Sequence, residues 1–290
     1  MDPLEKAFTI VFLVSTMLST GLKVSQADLL AIARARGLMA RSLATNFILI
    51  PILGLIMIKI IPMDRDVAIG LSLLAASPGG LNAIQFTSKT PGGLCYAATL
   101  VFVLSLLSVL ASPAIAALML PSDARLVLPY GKVIAVLFLL VLLPLAAGVI
   151  ANRTSHRAAD ILAKPLALCG TLAFIIVVVL LLAQRRQAIG ALHGIELAAM
   201  LGLILAGMVI GWLMGGPAKE TRTILATGTS MRNAALALTI AINSFPDANV
   251  DVAVIAFSGL MIPPNMLFTL CNVIRNRRLS PHATPARRSP

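Results

Sequence analysis

The chain has 290 residues and is 59% hydrophobic and only 12% charged, against roughly 25% charged residues in a soluble domain. A soluble core of this size could not bury runs such as VIAVLFLLVLLPLAAGVI and LAFIIVVVLLLA, and neither run alternates as a barrel strand would, so a soluble fold and a membrane barrel are both excluded. The net charge of +12 does not point to nucleic acid, because the basic residues are spread over short segments between apolar runs rather than gathered on one stripe.

Hydropathy predicts an all-α membrane protein with nine transmembrane elements, at about 5–22, 37–60, 67–90, 92–119, 126–150, 162–184, 193–214, 219–243 and 249–273. The first follows Asp2 and Glu5, an acidic start of the wrong sign for a cleavable signal peptide. The second carries Asn46 ahead of Pro51, a lone polar residue suited to an interhelical hydrogen bond. The third, VAIGLSLLAASPGGLNAIQFTSK, is not an ordinary span. Pro78 removes a backbone donor, Gly79 and Gly80 weaken the helix, and Asn82, Gln85 and Thr87 follow at once.

The fourth to seventh elements are plain apolar spans. Cys95 and Cys169, with Cys271 in the last span, read as single buried thiols without zinc spacing. The eighth, TILATGTSMRNAALALTIAINS, sets Gly228, Thr229, Ser230, Met231, Arg232 and Asn233 in the middle of an apolar stretch. The ninth carries Asn265 after Pro263 and Pro264, again in the setting of an interhelical bond. Residues 276–290, ending SPHATPARRSP, are expected to form a disordered cytoplasmic tail.

Outside the spans, lysine and arginine divide 15 to 7 between the two sets of loops. By the positive-inside rule this places the N-terminus outside and the C-terminus in the cytoplasm, in a multi-pass protein of the cytoplasmic (inner) membrane. The chain divides into a first half, 1–120, and a second half, 121–275, with one break near 78–82 and the other near 228–233. Interrupted helices in corresponding places of two halves are the hydropathy signature of inverted repeats, with a transported substrate held between the breaks.

Arg232 is the most informative residue. A charge at mid-bilayer costs at least ~2.5–3.5 kcal/mol on insertion scales, so it needs a partner or water. The acidic residues all lie in loops or near span ends. An unpaired guanidinium beside a polar break is a natural anchor for a carboxylate or sulfonate, which its fork can hold in a bidentate manner. The competing reading makes Arg232 a structural bridge to Glu196, or lets it snorkel to the interface. The expected substrate site is therefore Arg232, Asn233, Thr229 and Ser230 from one break and Asn82, Gln85 and Thr87 from the other. Pro78, Gly79, Gly80 and Gly228 act as backbone adapters. Catalysis is not expected. The histidines His156, His193 and His282 lie in a loop, at a span edge and in the tail, with no nucleophile beside them and no metal-ligand cluster.

At both breaks the chain resembles the bile acid:sodium symporter family. SPGGLNAIQFTSK resembles its Pro-Gly-Gly crossover helix, and TSMRNAALAL resembles its second crossover segment. Asn46-Phe47 leading to Pro51, TGLKVS at 20–25 and Asn265 fit as well, so the likeness runs from about 10 to 272. The resemblance implies a panel domain, a core domain, two broken crossing helices, alternating access and organic-anion or sterol-like substrates, in the arrangement of the nine-helix members. It also implies sodium coupling, and here the residues depart. The family's sodium ligands fall on Ala83, Ile84, Ala97, Val101, Gly228, Asn46 and Arg232, and only Asn46 keeps a suitable side-chain oxygen. Asn46, Thr229 and Met231 remain as ion-binding candidates through side-chain or main-chain oxygen. The expectation is a carrier of a small organic anion that has lost the two-sodium arrangement and needs no cofactor, with the lipid bilayer as its other partner. The rival readings are an arsenite or metabolite efflux carrier and a non-transporting membrane sensor or subunit.

Overall fold

The computed structural model describes residues 3–24, 36–79, 93–120, 124, 129–184, 187, 190–245 and 249–279. Every regular element among them is helical. In chain order these are α1 (Pro3–Leu22), α2 (Arg36–Ala44), α3 (Ile50–Ile60), α4 (Arg65–Ala76), α5 (Gly93–Met119), α6 (Tyr130–Leu137) and α7 (Leu143–Thr154). They are followed by α8 (His156–Gln184), α9 (Gly194–Met214), α10 (Lys219–Ser230), α11 (Ala234–Ser244), α12 (Val250–Leu260) and α13 (Ile262–Leu279). Six stretches of the described chain are long and apolar enough to cross a bilayer, and Lys6–Leu22 and Ala234–Ser244 are shorter apolar helices.

Two of the long stretches contain a π-helical turn. Thr45–Leu49 joins α2 to α3, and Phe138–Leu142 joins α6 to α7. Each is followed closely by a proline, Pro51 or Pro144, within the first turn of the next helix. Proline has no N–H to donate, so the helix around it is free to shift register, and Ile50 N–H bonds back to Thr45 O rather than one residue later.

Helix α1 packs along α8 and α7. Gly21 of α1 meets Gly148 of α7 backbone to backbone, and a Cβ on Gly21 would run into Leu145 O. On the other side, α9 lies against α10, with Gly207 and Gly211 set four residues apart against the main chain of Thr229 and Leu225. In lipid the helices gain little from hiding apolar area, so close backbone approach through small residues carries the packing. Helix α4 is buried from Val67 to Ala76 and touches α3, α5, α11 and α12, which makes it the centre of the larger group.

The expected elements differ from the observed ones in two places. The loop expected after residue 150 is a corner at Ser155 (φ −153°, ψ 96°) between α7 and α8. Polar residues ended the hydropathy run there, but polar residues form helix readily once outside the bilayer. Asn152 Oδ1 bonds His156 Nδ1 at 2.8 Å across that corner. Helix α13 runs on to Leu279, into the segment expected to be a tail. Its terminal arginines favour the negative end of the helix dipole. Interruptions are expected in the third and eighth elements, and α4 ends at Ala76 and α10 at Ser230, as described next.

Candidate functional site

Ser77 precedes Pro78, and the ring of a proline pushes the residue before it out of helical geometry. Ser77 accordingly sits at φ −88°, ψ 115°, and α4 ends at Ala76. The last carbonyls of a helix have no intrahelical partner and must find donors elsewhere. The second break forms without a proline. Helix α10 ends at Ser230, Met231 turns away at φ −90°, ψ 90°, and Asn233 caps α11 by accepting Leu236 N–H at 3.1 Å.

The two breaks meet. Gly79 and Arg232 form an antiparallel main-chain bridge, and Asn233 N–H donates to Pro78 O at 2.9 Å. A Cβ at Gly79 would collide with the carbonyl oxygen of Gly228, so the approach requires glycine. Gly228 itself lies inside α10, and its part in the crossing is to present that carbonyl rather than to end the helix.

The side chain of Arg232 fills the space beneath the bridge and the residue is 2% exposed. Its Nε donates to Leu74 O at 3.1 Å. Nη1 donates to Asn46 Oδ1 at 2.9 Å and, at the outer limit, to Thr229 O at 3.5 Å. Nη2 donates to Ala75 O at 2.8 Å and to Asn46 O at 3.3 Å. Leu74 and Ala75 supply carbonyls from the C-terminus of α4, the negative end of its dipole. Every donor of the fork thus faces an oxygen, and none of those oxygens belongs to a carboxylate. Among the described residues the guanidinium is solvated by neutral oxygens, with no carboxylate bonded to it.

Asn46 organises this arrangement from the π-helical turn. Its Nδ2 donates to Ser42 O at 3.0 Å, and its Oδ1 accepts from both Gly79 N–H at 3.0 Å and Arg232 Nη1 at 2.9 Å. Ser230 Oγ donates to Asn265 Oδ1 at 2.7 Å, which ties α10 to α13. Around the crossing, three buried polar atoms have no partner among the described residues: Thr227 Oγ1, Thr229 Oγ1 and Asn233 Nδ2. Met231 is fully buried and donates its N–H to Thr227 O at 3.0 Å.

The structure therefore brings Arg232, Asn233, Thr229, Ser230, Met231, Asn46, Pro78, Gly79 and Gly228 to one crossing. Gly80, Asn82, Gln85 and Thr87, with the sodium-ligand positions Ala83 and Ile84, lie outside the described residues. The reading of Arg232 as a bridge to Glu196 is overturned. Glu196 Oε1 accepts from Asp64 N–H and Oε2 from His193 N–H, both at 2.8 Å, so the carboxylate caps α9 and pins the loop after α3. Snorkelling is overturned too, since the guanidinium is enclosed. Asp64, His193 and Glu196 gather ligand-type atoms within 4.8 Å of one another, a grouping that their separation in sequence conceals. Cys169 and Cys271, expected to be buried, are exposed, and Cys169 Sγ accepts from Ser15 Oγ of α1 at 3.7 Å.

A second feature lies beside the crossing. An apolar crevice of about 950 Å³ is lined by Leu43, Phe47, Leu106, Leu110, Phe138 and Leu142, among others. Both π-helical turns contribute to its walls, and Phe47 is the chain neighbour of Asn46.

A profile of the Sodium Bile acid symporter family matches residues 10–192. The P3 protein of Homo sapiens is 24% identical over 256 residues, which cover 83% of this chain and 53% of that protein. The chain thus spans about half the length of the curated relative it matches. The profile match takes in Asn46 and the first break, while Arg232 and the second break lie beyond it.

Proposed function

The chain belongs to the sodium bile acid symporter family, and from that membership we propose that it carries a small organic anion across the cytoplasmic membrane by alternating access, without sodium coupling. The observation that carries this reading is the guanidinium of Arg232 at the crossing, bonded among the described residues to neutral oxygens alone and close to two donors without a partner among those residues, Thr229 Oγ1 and Asn233 Nδ2. A buried positive charge lowers the energy of an anion brought near it, most of all where water is excluded. Unsatisfied buried donors cost about 1–3 kcal/mol each until a ligand or water supplies an acceptor. The fork of Arg232 is already spent on protein oxygens, so the anion is held by the amide and hydroxyl with the charge behind them. The sequence adds Asn82, Gln85 and Thr87, which follow the first break in the chain, as further candidates. The apolar crevice beside Phe47 suits the hydrocarbon body of such an anion.

Several observations support the remaining parts of the reading. Helices α1, α7 and α8 pack together as a panel-like group, and the rest gather around α4 as a core-like group. The crevice opens between α2 and α5 of the second group and α6 with the π-helical turn after it. The two breaks fall in corresponding places of the halves 1–120 and 121–275, in keeping with inverted repeats. Asp64, Asp66 and Glu196 cluster at one end of the molecule, and Arg41, Arg222 and Arg275 at another. That contrast supports an orientation with the arginine-rich end in the cytoplasm. Sodium independence is supported by the residues at the ligand positions. Val101 and Gly228 offer no side-chain oxygen, and the guanidinium of Arg232 takes the lone pair of Asn46 that a cation would use.

The test is uptake of labelled organic anions into proteoliposomes. Equal uptake with sodium or potassium outside is expected, and Arg232→Ala should reduce it to background. Strong stimulation by a sodium gradient, or full uptake by Arg232→Ala, would overturn the reading.

A further inference from the structure

The five oxygens around Arg232 come from three separate segments: Leu74 O and Ala75 O from the end of α4, Asn46 O and Oδ1 from the π-helical turn, and Thr229 O from α10. All are neutral. A convergent set of carbonyl and amide oxygens, including the carbonyls of a helix C-terminus, is the donor set that replaces the hydration shell of a monovalent cation at membrane depth. A carboxylate would be expected if the purpose were to pair and cancel an arginine. The bonds also reach across the fold rather than within one helix. One guanidinium joins α4, the turn before α3 and the end of α10, all at the point where the two breaks touch.

We propose that these oxygens form a monovalent-cation site whose occupant is the Arg232 side chain itself, so that the protein carries its structural cation tethered to the chain instead of drawing one from solution. The site takes guanidinium chemistry first, because an oxygen lies within 3.5 Å of both Nη atoms and of Nε. An untethered cation has to be captured and immobilised at each binding event, whereas a side chain is held there by its own backbone. In the native protein the junction of the breaks therefore stays closed whatever salt surrounds it. This deepens the transport reading, since it concerns the same crossing, but it makes no use of a substrate.

The experiment is a thermal-shift titration of the full-length protein in detergent, without any organic anion, with guanidinium, sodium, potassium and choline chlorides at matched low-millimolar concentrations. Wild type should respond to all four alike. Arg232→Ala should melt lower and regain stability with guanidinium but not choline, by about 5 °C at hundred-fold excess over Kd and rising with the logarithm of concentration. Adding Asn46→Ala should abolish that rise, because it removes an acceptor from the set. Arg232→Gln, which keeps a polar group to fill part of the space, supplies the same readout where Arg232→Ala yields no folded protein. An equal response of the variants to guanidinium and choline would overturn the proposal, as would a guanidinium-selective rise in wild type. Failure of uptake in proteoliposomes, with the selective rise intact, would remove the transport reading and leave the tethered cation standing.

Discussion

Asn46 and Arg232 are 186 positions apart in the chain and share one hydrogen bond of 2.9 Å, and the chemistry of the crossing follows from that pair. The amide can serve two donors at once with a single oxygen, Gly79 N–H and Arg232 Nη1, while keeping its own N–H₂ for Ser42 O. It does so without adding charge. Asn46→Asp preserves the acceptor and the shape but places a carboxylate against the guanidinium. The expected outcome is a folded protein of equal or higher melting temperature whose anion uptake falls by about ten-fold or more, since the positive charge is then cancelled. Loss of folding together with uptake would instead show that Asn46 matters for its donor alone. The sequence marked both residues as unusual, because a charge and an amide in apolar spans stand out. It did not show that the arginine fork faces carbonyls, because main-chain oxygens released by a distant helix end leave no trace in residue type.

The two breaks have different causes, and this decides how far each could be read. The first is local: Pro78 forces Ser77 extended, and the helix stops. The second is tertiary. TGTSMRN contains no residue that must end a helix, and α10 stops where its main chain is drawn into the bridge with Gly79 and the bond from Asn233 to Pro78. The sequence placed it near 228–233, and the turn occupies Met231 to Asn233 within that range. Gly79→Ala tests the crossing as an element. The added methyl meets the Gly228 carbonyl, and a clash of that kind costs about 1–3 kcal/mol. A lowered melting temperature and lost uptake are expected, while Gly131→Ala, with nothing within 4 Å of the new Cβ, should leave both unchanged. The π-helical turns were not anticipated, although Pro51 and Pro144 are the signal by which they could have been found.

At the scale of the whole molecule the question is which parts move. The group formed by α1, α7 and α8 is tied by close backbone contact at Gly21 and Gly148, and the α9–α10 pair by contact at Gly211 with Leu225 and Ala226. The apolar crevice lies between α2 and α5 on one side and α6 with the π-helical turn that leads into α7 on the other, so its walls at Leu43 and Phe138 belong to different elements. In the alternating access proposed above, the π-helical turn moves with α7, and the crevice opens and closes as it does. In a protein with Cys95, Cys169 and Cys271 replaced, Leu43→Cys paired with Phe138→Cys should lose uptake when joined by a flexible bismaleimide, and each single variant should keep it. Full uptake after complete cross-linking would show that the two walls do not separate during transport.

Residue type alone determined that this chain crosses a membrane, that two of its helices are interrupted, and that one buried arginine lies at an interruption. Those features depend on transfer free energy, on proline geometry and on the rarity of charge in lipid, all of which act residue by residue. Only the tertiary structure decided what the arginine touches. The oxygens that surround it are main-chain carbonyls and one amide, brought together by three segments far apart in sequence, and every residue has a carbonyl whatever its side chain. Which of them are free to accept depends on where helices end and cross.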